Sequence, residues 1–121
     1  MKIFVFGSNL AGRHGAGAAL AARRYHGAVY GCAEGLQGNA YAIPTKDREL
    51  KPRSLEEIKQ SVETFKAFAR EMLDVEGVTF QVTRIGCGLA GYRDHQIGPL
   101  FADASKNCEL PMNWEQYRAR K

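Results

Sequence analysis

The sequence predicts an α/β protein with a mostly parallel sheet covered by helices on both faces. Three observations carry that expectation. Strand-like and helix-like segments alternate along the chain, the first strand-like run, Ile3 to Phe6, is short and continuously apolar, and two glycine clusters follow strand-like runs, the first after Ile3 to Phe6 and the second after Thr79 to Thr83. The 121 residues give room for one core, so a single domain over residues 1–121 is expected.

The elements follow in order. Lys2 to Phe6 reads as a buried strand, because a short β-branched and aromatic run suits a sheet interior. A helix is expected from about Gly15 to Arg24, where alanines and Leu20 favour it, with Gly27 as its stop. Between Ala28 and Gly38 the glycines obscure the pattern, and Val29-Tyr30 is read as a short edge strand. Ala40 to Ile43 reads as a strand ended by Pro44. Ser54-Leu55-Glu56-Glu57 matches a capping box, and Leu55, Ile58, Val62, Phe65, Phe68, Ala69 and Met72 recur at helical spacing behind it. Val78 to Thr83 is the next strand. A helix from about Asp94 to Ala104, with Pro99 near its first turn, and a last strand at Cys108 to Leu110 complete the pattern.

The totals exclude some classes. A hydrophobic share of 45% with 25% charged residues is ordinary for a globular chain, and no apolar run is long enough to span a bilayer. The net charge of +4 welcomes an anion, although Arg118, Arg120 and Lys121 are read as solvated. No basic stripe with interleaved aromatics marks a nucleic-acid binder. Cys32, Cys87 and Cys108 are odd in number and widely spaced, which argues against a disulfide framework and a CxxC-type zinc site. Met1 leads directly into a strand without a signal-like apolar core, so a reducing cytoplasmic setting is expected. No bound metal or cofactor is called for.

Chemistry should gather outside the carboxyl ends of the strands. Three segments fall there: Gly7 to Gly17, Pro44 to Asp47, and Gly86 to Tyr92. Glycine-rich loops between strand and helix present free backbone N–H groups at a positive dipole end, and two of them suggest two jaws of one pocket for a phosphorylated ligand. The glycines fit neither G-x-G-x-x-G nor a P-loop. His14, Lys46 and Asp94 are candidate acid–base groups. Cys87 reads as a small buried side chain in preference to an exposed nucleophile.

Three segments in order carry a resemblance: His14-Gly15-Ala16-Gly17-Ala18-Ala19 with Arg23 to Gly27 behind it, Tyr41-Ala42-Ile43-Pro44-Thr45-Lys46, and Arg84-Ile85-Gly86-Cys87-Gly88-Leu89. Together they resemble a macrodomain, most closely the branch of terminal ADP-ribose protein glycohydrolases, over residues 1 to about 105. The resemblance implies a three-layer α/β/α macrodomain-like fold with a mixed, mostly parallel central sheet. It implies a pocket for ADP-ribose, a related adenine nucleotide derivative or an ADP-ribosylated macromolecule, and no membrane partner. The binding positions it implies are Gly7, Ser8, Asn9, His14, Gly15, Ala16, Gly17, Thr45, Lys46, Ile85, Gly86, Cys87, Gly88, Leu89, Ala90, Gly91 and Tyr92. Asn9 matches a ribose-contacting asparagine. Lys46 matches the lysine proposed to attack the anomeric carbon, and a plain cation beside phosphates is the other reading of it. The branch places an aspartate after Gly-Cys-Gly-Leu, where this chain has Ala90. Three readings follow: a nucleotide-binding module, a hydrolase using Lys46 with a displaced acid such as Asp47 or Asp94, and an RNA- or protein-interaction domain whose pocket is lost. Trp114 is read as core or lid.

Overall fold

A computed structural model describes residues 1–119; the positions of Arg120 and Lys121 lie outside the described residues. The elements are β1 (Lys2–Asn9), α1 (Gly17–Tyr25), β2 (Gly35–Gln37), β3 (Ala40–Lys46), α2 (Leu55–Glu71), β4 (Thr79–Val82), α3 (Asp94–Ile97) and β5 (Cys108–Glu109), with 3-10 turns at Gly98–Phe101 and Met112–Tyr117. They form an α/β fold around a five-stranded sheet in the order β2-β3-β1-β4-β5. β1 pairs parallel with β3 and β4, and β4 pairs parallel with β5; β2 runs antiparallel on the edge of β3.

Alternation along β1 divides the core. Ile3 and Val5 face the larger cluster, where α2 contributes Ile58, Val62, Phe65 and Ala69 at the spacing the sequence predicts. Phe65 lies at its centre, with ring centroids 5.0 Å from Tyr41, 5.5 Å from Phe80 and 6.2 Å from Phe101. Phe6 faces the opposite way, toward Ala19 and Ala22 of α1 together with Ala28, Ala40 and Ala42. Small side chains on that face let α1 lie close to the sheet. The Ser54 capping box is present in full: the Ser54 hydroxyl accepts from Glu57 N at 3.2 Å, and the Glu57 carboxylate accepts from Ser54 N at 3.1 Å.

The structure departs from the expected elements in four places. β1 continues through Gly7, Ser8 and Asn9, because β3 extends to Lys46 and offers Ile43, Pro44 and Lys46 as partners. Pro44 therefore does not end its strand. It lies past Ala42, where pairing to β2 stops, and beside the register shift that leaves Thr45 as an extra residue; edges and bulges are where a sheet tolerates proline. Val29-Tyr30 is not the edge strand: the Val29 amide donates to the Gln37 side chain at 2.8 Å, and Gly35–Gln37 takes the edge instead. The helix expected to Ala104 stops at Ile97 and tightens into a 3-10 turn, since Pro99 has no N–H to continue the α ladder. Arg118, read as solvated, instead donates to the carbonyls of Ala104 at 3.1 Å and Cys108 at 2.7 Å and pairs with Glu115. The Trp114 indole is fully buried and stacks on Phe101 at 5.3 Å, so the C-terminal turn belongs to the core.

Gly12 shows where the backbone demands glycine. Its φ is +70°, and a Cβ there would lie 2.4 Å from the Gly31 carbonyl carbon, across a contact closed by Gly31 N donating to Gly12 O at 2.8 Å. Gly12→Ala is expected to lower unfolding free energy by about 2 kcal/mol or more, from left-handed strain plus overpacking. Ser54→Ala should cost about 1 kcal/mol, the usual value of a lost N-cap. Urea unfolding of the two variants beside the parent chain checks both the sizes and their order.

Candidate functional site

The carboxyl ends of β1, β3 and β4 emerge on one side of the sheet, and a cleft of about 380 Å³ opens between the loops that follow them. Its floor is Gly7, Ser8 and Asn9 of β1 with Thr45 and Lys46 of β3. One wall is Arg13 with Ala16, Gly17, Ala18 and Ala19, and the other runs from Thr83 to Ala90. Thus the sequence-predicted residues Gly7, Ser8, Asn9, Ala16, Gly17, Thr45, Lys46, Ile85, Gly86, Cys87, Gly88, Leu89 and Ala90 come together. His14, Gly15, Gly91 and Tyr92 are not among the lining residues. The Tyr92 hydroxyl donates to the Arg53 carbonyl, and its ring packs against the larger core cluster. Arg13 and Arg84 line the cleft and were not singled out as binding residues. The available signal was simple: a cation inside, or beside, a glycine loop.

The second wall is held open by its own turns. Cys87 N donates to Arg84 O, Gly91 N to Gly88 O, and Tyr92 N to Gly86 O at 2.8 Å. Gly86 has φ +74°, a conformation an L side chain adopts only under strain. Among the described residues the amides of Gly86, Gly88, Leu89 and Ala90 have no acceptor. Across the cleft, α1 begins at Gly17 without a side-chain cap, so its first N–H groups are also free. Both walls therefore present donors to the same space.

Among the described residues the lining includes Arg13, Lys46 and Arg84 and no carboxylate, although the Arg84 charge is offset by its bidentate pair with Asp94 just outside the lining. Both candidate displaced acids are committed elsewhere. Asp47 accepts from Glu49 N and Lys51 N, each at 2.9 Å, closing its own turn. Asp94 lies beneath the second wall, where it accepts from Arg84 Nε at 2.9 Å, Arg84 Nη2 at 2.8 Å and Trp114 Nε1 at 2.7 Å. Those hydrogen bonds, Arg84's first, hold its pKa at about 2, so it stays an anion and has no proton to give near neutral pH. Lys46 is half-buried on the floor, with no ion-pair partner among the described residues.

Three other polar residues are occupied structurally. Asn9 uses both ends of its amide on Arg13, donating to the carbonyl at 2.8 Å and accepting from the N–H at 3.0 Å. Ser8 donates to the Ala33 carbonyl, and Thr45 Oγ1 donates to Ser8 O at 3.4 Å. Cys87 Sγ is 3.6 Å from Asp94 Oδ1, and burial followed by the Asp94 charge raises its thiol to about 11. The sequence suggested a buried packing side chain; the thiol instead lies half-buried in the cleft lining, with its raised pKa disfavouring the thiolate.

His14, a candidate acid–base group, lies inside the first loop and not in the cleft. It is fully buried, edge-on to Phe6 at 5.2 Å and to Tyr30 at 6.3 Å, and neither ring nitrogen has a hydrogen-bond partner among the described residues. Desolvation, then the nearby Arg23 charge, lowers its pKa; the Cys32 backbone, close to the ring but outside hydrogen-bond geometry, pulls weakly the other way.

Comparison with family models, with curated proteins and with solved structures found no match for this chain. Among the described residues, no helix is long and apolar enough to cross a membrane.

Two measurements check these electrostatics. Folding lowers the His14 pKa below 6.5, so the unfolded chain binds that proton first. Its contribution is therefore complete above that value and is lost progressively as pH falls below it. Urea midpoints taken from about pH 7.5 to about pH 5 should decline more steeply for the parent than for His14→Leu; parallel curves would refute the assignment. For Cys87, iodoacetamide alkylation of the folded protein near pH 8 should run roughly a hundredfold slower than for an unperturbed thiol, and recover in urea.

Proposed function

We propose that the cleft binds ADP-ribose or a related adenine nucleotide derivative through its phosphates, in a small three-layer macrodomain-like fold. The observation that carries this reading is the pairing of free amides on both walls with cationic side chains and no carboxylate in the lining. Such a surface stabilises a multiply charged anion, because oriented N–H groups and a helix N-terminus need no reorganisation to receive it. Supporting it further, the chain passes from β1 to β3 on one side of the sheet and then returns through α2 to β4 on the other side of β1, and the cleft lies by this reversal, the usual ligand position in an open α/β sheet. A volume of about 380 Å³ is at the small end of the range for ligand sites.

The reading is binding without turnover. Ala90 stands where the resembling branch has its aspartate, while Asp47 and Asp94 are held away from the lining. General acid–base assistance is worth about two to four orders of magnitude, and no group here is placed to give it. The open cleft also disfavours an interaction domain whose pocket has closed.

Calorimetry and thermal shift with ADP-ribose test the proposal. A ligand at a hundred times its Kd should add about 2.7 kcal/mol of apparent stability. Lys46→Ala should weaken binding by roughly fivefold, the scale of one half-exposed ionic contact, and added salt should weaken it in the parent. An ADP-ribosylated protein should stay intact through long incubation. Absence of saturable binding by ADP-ribose, ADP and pyrophosphate would sink the reading.

A further inference from the structure

The cleft offers much to phosphate and little to a base. No aromatic side chain lines it, and the one carboxamide in the lining, Asn9, is engaged with the Arg13 backbone. A nucleotide whose phosphates lie between the two walls must therefore place its base outside the lining, on a neighbouring surface.

That surface has an aromatic platform. Gly31 N donates to Gly12 O at 2.8 Å, and these atoms belong to the peptide units joining Tyr30 to Gly31 and Gly12 to Arg13. One hydrogen bond thus sets the backbone that carries Tyr30 beside the backbone that leads into Arg13, a residue of the cleft wall. Tyr30 is 56% exposed although it is a large aromatic side chain. The Arg23 guanidinium sits over its ring at 5.5 Å, and the buried His14 meets it edge-on. A ring held by a cation and an aromatic edge is ordered before any ligand arrives, so little freedom is lost on stacking. On the opposite wall Leu89 is 76% exposed, but it has no planar face and no such clamp.

We infer that Tyr30, clamped by Arg23, is a base-stacking platform for a nucleotide whose phosphates occupy the cleft. The inference rests on the phosphate-binding reading above and extends it to the rest of the ligand. The ribose bridges the Arg13 wall, and the base lies on the exposed tyrosine. Stacking reads no hydrogen-bond pattern, since every base has a π face. The site therefore accepts several nucleobases and distinguishes a ligand that has a base from one that lacks it.

The test is isothermal titration with AMP, GMP, CMP, ribose 5-phosphate and inorganic pyrophosphate, on the parent chain and on Tyr30→Leu and Tyr30→Phe. The leucine keeps apolar cover over His14 while removing the π face. The parent should bind AMP about tenfold more tightly than ribose 5-phosphate, with GMP within a few-fold of AMP and CMP weaker. Tyr30→Leu should abolish that advantage, Tyr30→Phe should retain it, and pyrophosphate affinity should be the same in all three. Equal affinity of the parent for AMP and ribose 5-phosphate, or an advantage that survives Tyr30→Leu, overturns the platform. If pyrophosphate still binds in that case, the cleft reading stands alone. If pyrophosphate and AMP both fail to bind the parent, both readings fall. Should Tyr30→Leu not fold, the parent series decides, because a hydrogen-bonding base pocket would separate AMP from GMP where stacking does not.

Discussion

Everything in this molecule is arranged around β1, which is held in parallel register by β3 on one side and β4 on the other. Parallel pairing points three strand ends the same way, so the loops after them share one space. The register then carries β1 further than its apolar run requires: Gly7, Ser8 and Asn9 remain in the ladder because β3 continues to Lys46. Thr45 is the extra residue at the register shift and still reaches back to Ser8 O. The cleft floor is thus strand, with the side chains of Ser8, Asn9 and Thr45 satisfied by neighbours and the Lys46 ammonium left without an ion-pair partner among the described residues. Its walls are turns and a helix start, several of whose amides have no acceptor among the described residues.

That division of labour explains why, among the described residues, no carboxylate lines the cleft. Backbone donors stay available only if nothing negative in the protein reaches them first. The nearest carboxylates are spent on architecture: Asp47 closes a turn, and Asp94 joins Arg84, Trp114 and Cys87 beneath the second wall. Asp94 thereby anchors a cleft residue to the buried C-terminal turn and gives up any role in proton transfer. The same bonds that order the wall remove its most obvious acid. One residue's position thus both orders the second wall and keeps its own carboxylate occupied.

Much of this was legible in the sequence where a local rule decides the outcome. The Ser54 box, the apolar stripe of α2 and the strands at Lys2, Ala40 and Thr79 depend on residues a few positions apart. The convergence of the three loops was also legible, because it needs only parallel strands. What escaped depended on partners distant in sequence. Pro44 reads as a stop until β2 is seen to end at Ala42; Val29 reads as a strand until Gln37 takes its amide. His14 resembles a polar loop residue until Phe6 and Tyr30 are seen packed against its buried ring. Arg84 and Arg13 were masked by the glycines beside them, which drew attention to backbone and away from the charged side chains at its edge.

The two walls are not held equally. The second is tied by Arg84 and Trp114 to Asp94, and by Tyr92 N to Gly86 O, so several polar bonds must break for it to move. The first is tied by the two Asn9–Arg13 bonds, by Gly12 N to Asn9 O, by Leu10 N to Lys46 O and by the Gly31–Gly12 link, and the His14 ring adds contacts with Phe6 and Tyr30. Apolar contact is non-directional and tolerates small displacements that a bidentate ion pair does not. Among the described residues Arg13 has no ion-pair partner while Arg84 is bound to Asp94, so the Arg13 side chain is the freer of the two to turn toward a ligand. Tyr30 is joined to the Arg13 loop by the Gly31–Gly12 bond of its neighbouring peptide and by the contact of its ring with His14, so the loop and the exposed ring share their anchors.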